Sequence, residues 1–171
     1  MKRMQILLAA ACAATLVFAG SALAAGDTGT VTLSASVAAK AALTLSGNTA
    51  PNFDLSTVDN GTAVTATGAT TVAAKVRTGA TQNPTLTVQA GGDFVNSTYA
   101  GNDIPASDVT WAATGNLIAG ILSKAAPVTV NGAWTGSNTY TGDMTWTLAN
   151  NSNYSTGTYS NILVTYTLTA P

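Results

Sequence analysis

The chain has 171 residues, six basic and seven acidic side chains, one cysteine, no histidine and a net charge of −1. So little charge on a sequence that is 46% hydrophobic excludes an intrinsically disordered chain, which combines low hydrophobicity with high net charge. It also excludes the basic stripe of a nucleic-acid-binding surface and the polybasic cluster that holds a protein to anionic lipid.

The first element is a secretory signal. Lys2 and Arg3 form a basic start, residues 6–20 form an apolar run, and Ala22-Leu23-Ala24 supplies the small-x-small pattern of a cleavage site. Residues 1–24 are therefore expected to be removed, leaving a mature chain from Ala25 (or Gly26) to Pro171 with no membrane span. Cys12 sits within the apolar run, which continues through Leu16, Val17 and Phe18, so it is read as part of the signal rather than as a lipidation site. The mature chain then has no cysteine and no disulfide. It keeps four basic residues (Lys40, Lys75, Arg77, Lys124) against seven aspartates, a net charge of −3.

Beyond the signal the hydrophobic pattern has period 2, which marks half-buried strands. Val31, Leu33, Ala35 and Val37 alternate with Thr32, Ser34 and Ser36. Leu43 and Leu45 follow, then residues 72–76, Leu86 with Val88, Val109 with Trp111, and Val128 with Val130. Met144, Trp146 and Leu148 form the next run, and Val164, Tyr166 and Leu168 the last. Ser46-Gly47-Asn48, Asp59-Asn60-Gly61, Gly91-Gly92-Asp93, Asn131-Gly132 and residues 150–153 punctuate these runs with residues suited to turns. Residues 116–123 read as a buried strand or a short helix, with Gly120 favouring the strand. The expectation is a single all-β domain over residues 25–171, an immunoglobulin-like antiparallel β-sandwich of seven to ten strands. Its core is expected to include Leu33, Leu86, Val88, Trp111, Trp146, Tyr159, Tyr166 and Leu168. The two final runs are expected to pair antiparallel, with Trp146 and Tyr166 on one core face.

The mature sequence offers little chemistry. Without His, Cys or Glu it has no imidazole base, no thiolate nucleophile and no usual zinc ligand set. It contains neither a Gly-x-Ser-x-Gly elbow nor a Ser-x-x-Lys pair. A hydrolase built on two aspartates is the remaining enzymatic alternative. The reading preferred is a protein without catalytic residues or cofactor. Asp93, Asp103 and Asp108 lie in an Asn-rich loop and are the candidate ligands for calcium, a hard cation that takes oxygen donors. Their spacing is not that of a regular calcium loop, and Asp and Asn also initiate turns, which is the reading preferred. Asn60, Asn96 and Asn153 head N-x-Ser/Thr triplets to which no role is assigned.

Two families share features with the chain. The run from Gly157-Thr158-Tyr159 to Val164-Thr165-Tyr166-Thr167-Leu168-Thr169-Ala170-Pro171 resembles the ending of WxL-domain bacterial surface proteins, with Tyr166 in place of Trp. Trp146-Thr147-Leu148 is a literal W-x-L. Pro51-Asn52-Phe53-Asp54 and Asp103-Ile104-Pro105-Ala106-Ser107-Asp108 also look like segments of such domains. This resemblance implies a surface module held noncovalently on the cell envelope or cell wall. Thr30-Val31-Thr32-Leu33-Ser34-Ala35-Ser36-Val37 and Gly157-Thr158-Tyr159 are similar in placement to segments of colonisation-factor-type chaperone/usher pilins. That resemblance implies a fimbrial subunit whose partners are other copies of itself, with Val31, Leu33, Ala35 and Val37 as a donor strand. The preferred reading at this point is that residues 31–37 form the first strand of their own sheet. Either family places the protein outside the cell or at its surface, with the periplasm as transit in a Gram-negative cell.

Overall fold

The computed structural model describes residues 31–171. The signal, its cleavage site and Cys12 lie outside the described residues. Residues 36–171 form one compact unit. It contains all the regular structure described below: nine strands and one short 3-10 turn, Ala106–Asp108. The strands are β1 (Lys40–Gly47), β2 (Val64–Thr65), β3 (Thr70–Arg77), β4 (Thr85–Ala90), β5 (Val109–Ala113), β6 (Gly120–Ile121), β7 (Val128–Thr129), β8 (Asn138–Leu148) and β9 (Val164–Thr169). No helix among the described residues is long and apolar enough to cross a membrane.

The fold is all-β, with two antiparallel sheets around one core. The larger sheet runs β1-β3-β8-β5-β6, with β2 also paired to β8; the smaller runs β7-β4-β9. β8 is the central plank: its first part pairs with β3, its last residues pair with β2, and β5 lies along its other edge. The period-2 pattern explains which face each strand buries. In β3, Val72, Ala74 and Val76 are buried, and in β4, Leu86, Val88 and Ala90 are buried, while their neighbours are less so. Trp111 and Trp146 stand opposite each other in the β5–β8 register, with ring centroids 5.5 Å apart. Each indole N–H is satisfied, Trp111 Nε1 by the Ile118 carbonyl at 2.8 Å and Trp146 Nε1 by the Thr70 hydroxyl at 3.0 Å. Buried indoles without such partners would be costly.

Three local features fix the frame. Gly120 in β6 lies under the Trp111 ring; a Cβ there would come within 2.4 Å of Trp111 Cζ2. This close approach, rather than a turn, is what the glycine serves. Asn131, read in sequence as a turn residue, is instead buried. Its side-chain oxygen accepts the Leu86 N–H at 2.7 Å, and its amide donates to the Gly132 carbonyl at 2.8 Å. Gly47 ends β1 at φ 70°, where a Cβ would meet the Ala69 carbonyl at 2.6 Å.

The structure departs from the sequence expectations in two places. Residues 31–39 carry no strand, and Leu33, expected in the core, is 90% exposed. Alternation reports a strand with one apolar face; it does not report whose sheet covers that face. The two final runs do not pair. β8 lies in the larger sheet and β9 in the smaller, so Trp146 and Tyr166 reach the core from opposite sides. The 15-residue connection between them changes sheets, and the Tyr166 hydroxyl meets Met144 Sδ of β8 at 3.6 Å across the core. Residues 116–123 contain strand β6 and a β-bridge from Leu117 to Asn131, with no helix.

Candidate functional site

Two strands have a free edge on the same side of the sandwich. Among the described residues β1 pairs only with β3, and β9 pairs only with β4, yet β1 and β9 approach each other. Their inward residues are covered less than those of the strands behind them. Leu43 of β1 and Val164, Tyr166 and Leu168 of β9 are half-buried, and Leu45 is 36% exposed, whereas Val72, Ala74, Leu86 and Val88 are fully buried. Near the Lys40 end the gap is closed by the Thr78 hydroxyl, which donates to the Pro171 carbonyl and so holds the end of the chain on β3.

Toward the other end the gap opens into an apolar cleft of about 350 Å³. Leu45 and the segment carrying Pro51 and Phe53 form one wall. Ile162, Leu163, Val164 and Tyr166 form the other, and Trp146, Val109 and Leu122 lie at its base. Phe53 meets Phe94 edge-on at 6.5 Å between centroids. No Asp, Lys or Arg lines the cleft. Its basal polar groups are occupied: Thr70 accepts the Trp146 N–H and donates its own proton to the Asn48 carbonyl at 2.6 Å. Burial pushes the Tyr166 phenol up to about 12. The cleft therefore offers apolar side-chain pockets between two backbone edges, with Thr49, Asn52 and Asn161 as further polar lining.

The aspartates proposed as calcium ligands do not converge. Asp93 accepts the Ala106 N–H at 2.9 Å and forms an ion pair with Lys124, whose hydrogen bond, ahead of the Ala106 contact, holds the Asp93 carboxyl below the usual carboxylate range. Asp103 accepts the Asn96 N–H at 3.0 Å. Asp108 accepts from the Tyr154 hydroxyl and from the Asn151 amide at 2.7 Å. Burial and the adjacent Asp108 carboxylate push the Tyr154 phenol up. No group of three or more His, Cys, Asp or Glu suited to a metal occurs among the described residues. Asp103 closes a contact within residues 91–108, while Asp93 and Asp108 tie that stretch to Lys124 and to Asn151 and Tyr154; these bonds are not the local turn initiation that the sequence reading preferred. Asn96 belongs to the same network: 3% exposed, it accepts the Thr98 and Tyr99 N–H groups at 2.8 and 3.0 Å.

No family model, no curated protein and no solved structure matches the chain.

The four residues singled out as a donor strand are exposed, as are Thr32, Ser34 and Ser36 between them. Val31, Leu33 and Val37 are 85%, 90% and 72% exposed, and Ala35 is exposed as well. The literal W-x-L tripeptide is core: Trp146 and Leu148 are 4% and 2% exposed in the middle of the larger sheet. The cleft itself was not legible from the sequence. Val164 and Tyr166 read as ordinary core alternation, and Phe53 stood only in a segment of family resemblance. A half-covered edge strand carries the same pattern as a fully covered one.

Proposed function

We propose that the chain is an exported, non-catalytic structural subunit of the bacterial surface that assembles by strand addition, each copy accepting an extended segment of another in the cleft between β1 and β9. The observation that carries this reading is the pairing of two unsatisfied features. The cleft is an apolar slot with a free backbone edge on each side. Residues 31–37 alternate apolar and polar side chains in sequence, carry no strand, and are exposed throughout. Free edges are templates for pairing with another chain, and alternate side chains fill the groove while the main chain bonds to the edge.

Charge agrees. Residues 28–39 carry no charge, which suits a cleft lined by none. Export, surface location and the absence of catalysis remain part of the proposal, supported by the signal pattern and by a mature sequence without His, Cys or Glu. The alternative of a wall-binding WxL-like module draws less support, because its tripeptide is packed inside the sheet and leaves only Thr147 partly exposed.

The test is direct binding of a synthetic peptide of residues 28–38 to a chain lacking residues 25–37. The peptide is expected to raise the melting temperature and to slow amide exchange in β1 and β9. A peptide with Leu33→Asn is expected to do neither. Equal responses to both peptides, or protection elsewhere with none at β1 and β9, contradict the proposal.

A further inference from the structure

The charges of the sandwich are sorted along its strands. Lys40 opens β1 opposite Arg77, which closes β3, and β8 begins beside them with Asn138 opposite Val76. Val76 is buried, so Lys75 and Arg77 point to the outer face of the larger sheet, and Lys40, directly opposed to Arg77, shares that face. All three are exposed. Among the described residues the one ion pair joins Lys124 to Asp93, so these three cations have no acidic partner there. Directly opposed like charges cost a sheet stability. Lysine on an edge strand guards against unwanted pairing, which accounts for Lys40 on β1. It does not account for Lys75 and Arg77, because β3 lies inside the sheet between β1 and β8.

The acids occupy the opposite end. β8 closes there with Leu148, opposite Val64 and Val109. Asp54 lines a hollow with Asn48, Val64 and Thr65, and the Asp59 carbonyl accepts the Asn150 side-chain amide at 2.9 Å just past β8. Asp108 immediately precedes β5, and Asp93 is joined to the same loop by the Ala106 N–H. Asp103 lies between them in that loop. These five aspartates against Lys124 give this end a net charge of −4. The other end carries +3, or +2 where Pro171, held there by Thr78, bears a terminal carboxylate. Asp143, the remaining described acid, lies part-way along β8 and accepts the Thr71 hydroxyl at 2.7 Å. The strand from Thr139, beside Lys75, to Leu148 spans about 30 Å. That is about three times the Debye length at 0.1 M salt, so the two ends do not neutralise each other within one copy.

We infer that the basic outer corner of β1 and β3 is a docking surface for the acidic loop end of a second copy of this chain, so that copies meet head to tail along the strand direction. The contact uses neither the cleft nor residues 31–37. Opposed charge steers association and fixes orientation, and like ends repel, which disfavours head-to-head and tail-to-tail meetings. A long polyanion is the other occupant such a corner suits, but it would run along a molecule of net negative charge. A copy meets the corner with its negative end alone.

The test is zero-length carbodiimide coupling of lysine to carboxylate in the exported full chain carrying Leu33→Asn, which takes strand addition out of the comparison. Lys124 and Asp93 couple within each copy and show that the reaction worked. Lys40 and Lys75 stand about 30 Å from Asp54, Asp59, Asp103 and Asp108 of their own copy, so coupling among these reports contact between copies. It is expected at 0.01 M salt and is expected to fall at least about tenfold at 1 M, the low end of what steering supplies. Lys75→Glu with Arg77→Glu is expected to suppress coupling from Lys40 and to leave circular dichroism unchanged, since Arg77→Glu sets an opposite charge against Lys40. Mixing that variant with one carrying Asp54→Lys and Asp59→Lys is expected to restore coupling, now at the substituted positions. The inference is overturned if Lys124 and Asp93 couple while Lys40 and Lys75 do not, if those two couple mainly to Asp143, or if the yield is unchanged at 1 M salt. Retention on immobilised polyphosphate through Lys75 and Arg77, with no coupling between copies, overturns it in favour of a polyanion. Because Leu33→Asn already disables the strand, each outcome stands apart from whether the peptide of residues 28–38 fills the cleft.

Discussion

Leu33→Asn separates an assembly residue from a folding residue. Leu33 is 90% exposed, so its side chain contributes almost no packing to the subunit that carries it. In a filled cleft it becomes one of the four apolar side chains facing the core. Burying a leucine is worth about 1.5–3 kcal/mol. Each 1.4 kcal/mol is tenfold in affinity, so the substitution is expected to weaken subunit association by about 10- to 100-fold or more, since a buried amide adds its own desolvation cost. Sedimentation velocity across a concentration series reads the shift in association. Circular dichroism of dilute monomer reads the fold, which is expected to be unchanged. Thr32→Ser and Ser34→Ala sit on the opposite face and are expected to change association by less than about threefold, within the ±0.5 kcal/mol usual for surface changes. Equal losses on both faces would refute the alternation argument. A drop in monomer stability with Leu33→Asn would return the residue to its own core.

Gly120→Ala forces a Cβ to within 2.4 Å of a ring that is 2% exposed and held by its Nε1 hydrogen bond, so it is expected to cost about 1–3 kcal/mol in urea unfolding. Asn131→Leu leaves the Leu86 N–H without its 2.7 Å acceptor inside the core, and the expected loss is again about 1–3 kcal/mol, measured as a shift in denaturation midpoint at constant slope. Tyr166 binds its proton more tightly when folded, with a pKa raised from 10.0 to about 12. Its contribution is present in full below pH 10 and is lost as pH rises through 12. Tyr166→Phe is therefore expected to flatten stability against pH in that window; an unchanged profile would place the phenol in solvent.

The strands were legible because buried faces alternate. Leu86, Val88, Trp111 and Trp146 were assigned to the core from period 2 alone, and all four are buried. Sheet membership was not legible. Met144-Thr145-Trp146-Thr147-Leu148 and Val164-Thr165-Tyr166-Thr167-Leu168 have nearly the same pattern, yet they sit in different sheets, because alternation selects a face and not a partner. The same limit applies to residues 31–37, whose alternation reads identically whether the sheet that covers it belongs to this copy or to another. Asp93, Asp103 and Asp108 were visible as a cluster in sequence. The loop geometry that gives each a separate hydrogen-bond partner was not. Asn131 looks like a turn residue and Gly120 like a residue that favours a strand over a helix, and their real constraints are a buried N–H and an indole ring from other strands.

The most direct measurement is the solution size of the exported chain with and without residues 25–37. The account predicts concentration-dependent assemblies for the intact chain. It predicts a folded monomer for the shortened one, with assembly not restored by Leu33→Asn segments but its cleft filled by the peptide of residues 28–38. Folded monomers of equal stability in both cases would contradict the claim that the cleft between β1 and β9 is built for a strand from another copy.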